Sequence, residues 1–212
     1  MAKASQKQNN FMIKRFVTGP IETNCYVVWD TFTSDACLID PGGDAENIKD
    51  FLEDNGLRLN FIINTHGHGD HIAANSDFRV PIYIHGSDKD FLLDPGKNLS
   101  GAFLFPFVSP AASRILKDGD TIKLGTLTME VMHTPGHTPG SISIALDDVV
   151  FTGDTLFAGG VGRTDFEYGS EDDLFRSIHE KLMPLADDTV IYPGHGPEST
   201  IGEERDSNPL IS

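Results

Sequence analysis

The stretch THGHGDH, residues 65–71, places His66, His68, Asp70 and His71 within six positions, separated only by Gly67 and Gly69. A lone histidine is most often a packed or surface imidazole. Three histidines and an aspartate in one loop point instead to metal ligation, and four ligand-type groups this close seldom all reach one ion. The two glycines give the backbone the freedom such a loop needs. The segment follows an apolar, β-type run, LNFIIN (59–64), so the cluster sits at the end of an expected strand.

Three further groups occupy the same kind of place. His137 in TPGHTPG follows an expected strand at 127–133, Asp154 in FTGDTLF follows one at 149–153, and His195 in YPGHGP follows one at 189–194. Taken singly each has an ordinary alternative: PGH loops are often structural, and a lone aspartate after a strand is commonly a turn or cap residue. Their shared position at strand ends, where α/β proteins gather their active sites, is what raises them together. Five imidazoles and two carboxylates exceed the four ligands of a tetrahedral zinc site. They suit two divalent ions about 3.5–4 Å apart. His66 and His68, at i and i+2 of an extended loop, point the same way; Asp70 and His71, where the chain turns into a helix, would face a second ion. Imidazole-rich ligation favours zinc, with iron or manganese compatible. His85, His133 and His179 lack the strand-end context in whole or part and read as non-ligands. Asp40 in LIDPGG either orients a ligand or forms a turn before Pro41.

The rest of the chain alternates strands with helices. Strands are expected at 11–17, 24–29, 36–40, 80–85, 121–125 and 141–146, the last strand being the one at 189–194. A helix is expected at 44–56, with Asp44 as N-cap, Ile48, Phe51 and Leu52 on one face and Gly56 as its stop. Others are expected near 70–77 and at 170–182, where Ser170 precedes Asp173 as in a capping box. Mixed sheets with helices outside them follow, in an α/β (α+β) fold.

Composition narrows the function classes. The 212 residues fit one domain, taken as 11–212 after a polar, mobile tail at 1–10. A net charge of −16 without any Lys/Arg block repels phosphate backbones and anionic bilayers, so neither nucleic acid nor membrane is an expected partner. No run of 18 apolar residues and no secretory h-region occurs, so the expected location is cytoplasmic. Cys25 and Cys37 are then expected to be reduced and buried in the core.

The ordered set His66, His68, Asp70, His71, His137, Asp154 and His195 resembles the H-x-H-x-D-H…H…D…H signature of the metallo-β-lactamase fold superfamily. PIETNCY, DPGGDAENI, TPGHTPGS, GDTLFAGGVGRTDF and PGHGPESTIGEERDSNP resemble its short bacterial glyoxalase II-like (hydroxyacylglutathione hydrolase-like) branch. The resemblance implies a four-layer αββα sandwich with two metal ions. One ion would be held by His66, His68 and His137, the other by Asp70, His71 and His195, with Asp154 bridging. It further implies hydrolysis of an acylated glutathione, such as lactoylglutathione, or a related small thioester. A hydroxide shared by the ions would attack, and Asp70 would position it. Arg163 matches a basic position that grips the substrate in that family, whereas the companion Tyr position holds Asp165 and Phe166. Full-length glyoxalase II also has a helical C-terminal region that supplies much of its glutathione site; here the 17 residues after His195 carry one basic residue, Arg205. Alternatives on the same fold are an iron-dependent persulfide dioxygenase and a hydrolase of another small ester or lactone. A non-catalytic metal-binding module would tolerate loss of ligands, and none of the seven is missing.

Overall fold

Alternate residues of the central strands face two different cores, which is how a period-two side-chain pattern builds a layered structure. The computed structural model describes residues 10–102 and 106–211; the expected tail lies outside them except for Asn10, which is exposed. The first sheet runs in chain order: β1 (Phe11–Thr18), β2 (Thr23–Asp30), β3 (Asp35–Ile39), β4 (Arg58–Ile63), β5 (Ile82–His85) and β6 (Arg114–Leu116). Its first two pairings are antiparallel and its last three parallel. The second sheet contains β7 (Thr121–Leu124), β8 (Leu127–His133), β9 (Ile142–Leu146), β10 (Val149–Gly153), β13 (Val190–Pro193) and β14 (Ser199–Thr200), with β10 and β13 parallel. A small hairpin, β11 (Leu156–Phe157) and β12 (Gly160–Val161), lies between β10 and the helix α3 (Glu171–Ser177) in the chain.

Tyr26, Val28, Cys37, Ile39, Phe61 and Ile63 of the first sheet meet Met129, Val131, Ile144 and Phe151 of the second in the central core. Tyr26 and Phe151 pack edge-to-face at 5.2 Å across it. The intervening residues Cys25, Val27, Ala36, Leu38 and Ile62 turn the other way, onto Ile48 and Leu52 of α1 (Ala45–Asp54). On the far side Val150 and Ile191 pack on Leu174 of α3 and Ile201 of α4 (Ile201–Ser207). Helix, sheet, sheet and helix thus form four layers, the architecture the resemblance implied. Truncating a central residue such as Phe151 to Ala would cost about 3–5 kcal/mol. Cys25 and Cys37 are free, buried on opposite faces of the first sheet, and burial pushes both thiols up.

Three local expectations change. Asp44 is left-handed (φ 52°) and makes no side-chain cap; only its carbonyl engages the helix, accepting Ile48 N–H at 3.3 Å. The helix expected near 70–77 is a four-residue turn, α2 (Gly69–Ile72), followed by a 3-10 turn at Asn75–Asp77. Its ladder stops because Ala74 N–H goes to Pro41 O (2.9 Å), while Asn64 takes up the His71 carbonyl (3.2 Å). The strand at Val190–Pro193 is not the last, since β14 pairs back on it antiparallel and leads into α4. Elsewhere Gly56 (φ 63°) stops α1, and Ser170 Oγ accepts Asp173 N–H at 3.3 Å to start α3. The segment Ile178–Leu182 continues α3 with wider, π-type turns.

Candidate metal centre

The loops after β4, β8, β10 and β13 open at one edge of the sandwich, and they bring all seven expected ligands together. The two sheets are sewn to each other there. Asn24 N–H donates to Gly194 O (2.7 Å), and Asn24 Nδ2 and Tyr26 OH both donate to Pro193 O (2.9 and 2.6 Å). One ligand atom from each of His66, His68 and His137 falls within 4.8 Å of the others; the same holds for Asp70, His71 and His195, and for His66, His71 and Asp154. Asp154 lies between the first two groups: Oδ1 is 3.4 Å from His71 Nε2, and Oδ2 is 3.5 Å from His137 Nε2 and 3.6 Å from His195 Nε2.

The inward ring atoms are fixed by what their outward atoms touch. His137 Nδ1 is 2.7 Å from the Arg163 carbonyl, which can only accept, so the proton sits on Nδ1 and Nε2 faces the cluster. That Nε2 lies 2.9 Å from His68 Nδ1. His71 Nδ1 is 3.0 Å from Asp40 Oδ2, whose carboxylate also accepts Thr65 N–H (2.7 Å) and Thr65 Oγ1–H (2.6 Å). Of the two readings of Asp40, the geometry shows the one that orients a ligand. Asp70 Oδ2 accepts from Thr23 Oγ1 at 2.8 Å and stands 3.3 Å from His195 Nε2.

Three buried atoms at the centre, His66 Nε2, His71 Nε2 and Asp154 Oδ1, have no hydrogen-bond partner. Buried polar groups left so are costly, and these three are N and O donors aimed at one another, which is what divalent cations require. The titration states agree. Burial, reinforced by neighbouring imidazoles, holds His66 well below its ordinary value and His68 down to about 3, so both stay neutral, the state in which an imidazole can bind a metal. Burial alone would raise Asp70 and Asp154, yet the charge of His71 beside them outweighs it and keeps both ionised. His71 shows the converse: burial opposes its charge, but Asp70, Asp154 and Asp40 together raise its pKa well above normal. For His195, burial is likewise outweighed, by its bond to Asp70 and the charge of Asp154. The carboxylates therefore draw positive charge to this point, and the residues fit a pair of divalent ions.

Sequence reasoning missed the groups that brace this centre. Buried Asp88 accepts Gly67 N–H (2.9 Å), Gly140 N–H (2.7 Å) and Thr138 Oγ1–H (2.7 Å), tying the His66–His71 loop to the His137 loop; burial raises its pKa. The Asn98 carbonyl accepts Gly69 N–H at 2.7 Å. Thr23, Asp88 and Asn98 carry no local signal beyond ordinary turn chemistry. Arg163 sits at the rim, its guanidinium paired bidentately with Asp165 (2.9 and 2.7 Å) and 4.5 Å above the Phe166 ring. His85 and His133 stack on each other at 4.0 Å, outside every ligand group among the described residues, and His179 is exposed. Above the ligands opens a cavity of about 390 Å³, lined by Ile21, Leu99, Phe157 and Phe166 among others.

A family model described as the Metallo-beta-lactamase superfamily matches residues 18–195. The chain belongs to this superfamily. Among relatives in the superfamily, the probable metallo-hydrolase YqgX of Bacillus subtilis is 39% identical over 208 residues, covering 94% of this chain and 97% of that one. Hydroxyacylglutathione hydrolase GloC of Haemophilus influenzae is 38% identical over 199 residues, 90% and 93% of the two chains. The mitochondrial persulfide dioxygenase ETHE1 of Homo sapiens is 37% identical over 206 residues, 90% of this chain and 72% of that one. Of solved structures, the BLEG-1 B3 metallo-beta-lactamase superposes with a TM-score of 0.89 at 39% identity, over 95% of this chain and 100% of that one. TTHA1623 in a di-iron-bound form gives 0.81 at 32% identity, over 93% and 99%. These matches carry the αββα fold; the di-iron form also shows that a relative's centre accepts a metal other than zinc.

Proposed function

We propose that this chain is a metal-dependent hydrolase of small thioesters, of glyoxalase II-like kind, working in the cytoplasm on acylated glutathione or a related thioester. The observation that carries the proposal is the convergence of seven N/O side chains, three with unpartnered buried atoms, five of which (His68, Asp70, His137, Asp154 and His195) line one cavity. The likeness to hydroxyacylglutathione hydrolase GloC supports the thioester as substrate class. The charge of −16 keeps nucleic acid and anionic membranes outside the proposal.

His66, His68 and His137 would hold one divalent ion, and Asp70, His71 and His195 a second, with Asp154 reaching both. Zinc suits this imidazole-rich set, and iron and manganese are compatible with it. Bound there, the ions supply Lewis-acid chemistry, lowering the pKa of water toward about 7 and polarising a carbonyl. Asp70, held ionised and anchored by Thr23, orients the attacking water by accepting its hydrogen bond. The ring of Phe166 against His68 and that of Phe157 against His195 shield the reacting carbonyl from bulk solvent. Water oxygen bonds to the acyl carbon and the C–S bond breaks. Sulfur leaves with the electron pair as a thiolate; one proton of the water ends on that sulfur and the other passes to solvent, giving a carboxylate and a thiol. Because a thiolate leaves readily, no strong general acid is needed. For Arg163 to grip a substrate carboxylate, it must exchange its bidentate pair with Asp165 for the substrate.

Elemental analysis combined with a hydrolysis screen that includes lactoylglutathione tests the proposal. Two metals per chain and release of free thiol, abolished in His68→Ala, are expected. Thiol release surviving that substitution would remove the metal mechanism. The similarity to human ETHE1 favours one competing reading, persulfide oxidation at a single iron; one iron per chain with oxygen uptake on a glutathione persulfide would replace the hydrolase assignment.

A further inference from the structure

The geometry points to a substrate whose thiol half is neutral and apolar rather than anionic, selected by Ile21, Leu99, Phe157 and Phe166. This rests on the thioester reading and narrows it. The four side chains reach the cavity from four separate segments: the β1–β2 turn, the loop after Asp94, β11, and the stretch following Arg163. Phe166 stands edge-on to His68 at 5.5 Å and Phe157 edge-on to His195 at 6.1 Å, so an aromatic ring flanks each end of the ligand cluster. Ile21 at the mouth is 53% exposed, an apolar surface that a bound apolar body would cover.

Leu99 is the most informative of the four. Its backbone is left-handed, φ 65°, a conformation that disfavours leucine and favours Asn or Gly. The loop imposes that conformation through its neighbour: Asn98 O accepts Gly69 N–H, Asn98 Oδ1 accepts Ser100 N–H at 2.9 Å, and Asn98 Nδ2 donates to Phe107 O at 3.2 Å. Asn or Gly would relax the strain; leucine there instead adds apolar wall to the cavity.

The charges point the same way. Arg163 is the one lysine or arginine among the described lining residues, and its guanidinium is already engaged by Asp165 and by the face of Phe166. A thiol carrying carboxylates would thus enter a −16 molecule past Asp165 and lose hydration against aromatic rings without gaining a free cation.

Lactoyl thioesters of glutathione, N-acetylcysteamine and butanethiol, which share one acyl group, separate the alternatives. The two neutral esters are expected to show kcat/KM about tenfold or more above lactoylglutathione. Leu99→Asn, which suits the left-handed backbone and so keeps the fold, should shrink the butanethiol advantage several-fold, and Ile21→Lys should raise relative activity on lactoylglutathione. Calorimetric binding of the matching non-hydrolysable thioethers should follow the same order. A glutathione ester equal to or better than the neutral ones, or glutathione thioether binding that is tighter and weakens with salt, would overturn the inference. If no thioester is cleaved, the hydrolase reading fails, and thioether binding still decides the chemistry of the cavity.

Discussion

Asp40 Oδ2 lies 3.0 Å from His71 Nδ1, across 31 residues of sequence, and this contact decides which nitrogen of His71 faces the metal centre. Asp40 directly follows β3 with a left-handed backbone (φ 54°), and its carboxylate meets Thr65 and His71 together. The carboxylate accepts the hydrogen bond from Nδ1–H, which leaves Nε2 pointing inward with no hydrogen-bond partner.

Asp40→Asn should therefore weaken metal binding with little effect on the fold, because asparagine tolerates the same backbone. Its amide would offer His71 an N–H, favouring the tautomer protonated on Nε2 and blocking the ligand position. Chelator competition is expected to show a fall in affinity of about 10–100-fold. Unchanged affinity would mean that Asp40 serves only the turn.

Asp154 stands between the two ligand groups, so Asp154→Ala should affect both ions at once. The metal content per chain should fall, and activity should drop by more than about a hundredfold, beyond the usual effect of losing an outer partner. Full occupancy by elemental analysis would refute the bridging position.

Asp88→Ala removes one acceptor from three buried donors, Gly67 N–H, Thr138 Oγ1–H and Gly140 N–H. At about 1–3 kcal/mol for each donor left unsatisfied, the expected loss is about 3 kcal/mol or more, read from the denaturant midpoint of the metal-free protein. A change below about 1 kcal/mol would show that water replaces the carboxylate.

Gly194 lets the β13 loop pass the centre: a Cβ there would overlap Asp154 Oδ1 and come within 2.8 Å of His71 Cε1. Gly194→Ala should cost about 1–3 kcal/mol and displace a ligand. Metal stoichiometry and melting temperature should fall together; normal values of both would show that the loop has room to shift.

His85 predicts a pH dependence away from the metal centre. Burial first, then the adjacent His133, holds its pKa down at about 4 against an ordinary 6.5. Between pH 6.5 and 4 the unfolded chain binds a proton at this site that the folded chain refuses, so stability falls as pH drops through that window. The half-exposed ring keeps the effect well under the full linkage of about 1.4 kcal/mol per pH unit. The melting temperature of His85→Gln should decline less steeply over this range than that of the native chain; parallel curves would discount the stack.

The ligands were legible because metal chemistry demands particular residue types and strand ends recur with recognisable turn residues. Most strands were legible because their β-branched and aromatic runs are bounded by Gly, Pro and Asp. Asp44 looked like a cap by residue type, but a left-handed backbone removed the capping geometry. The run at 70–77 has helical composition, yet Pro41 and Asn64, distant in sequence, compete for its backbone groups. Short β6 and β14 have too few residues to show a period.

The sequence by itself determined the seven candidate ligand residues, the strand-end positions that carry them and a fold of mixed sheets with helices outside, because these depend on local chemistry and side-chain period. The four-layer αββα arrangement followed only from the family resemblance. Tertiary structure decided the rest. It settled that Asp40 orients His71, that Asp88 and Asn98 brace the loops, that Arg163 pairs with Asp165, and that the cavity wall is apolar. Each of these is a contact or shared wall set by how distant segments pack, and no local pattern encodes which partner a side chain meets.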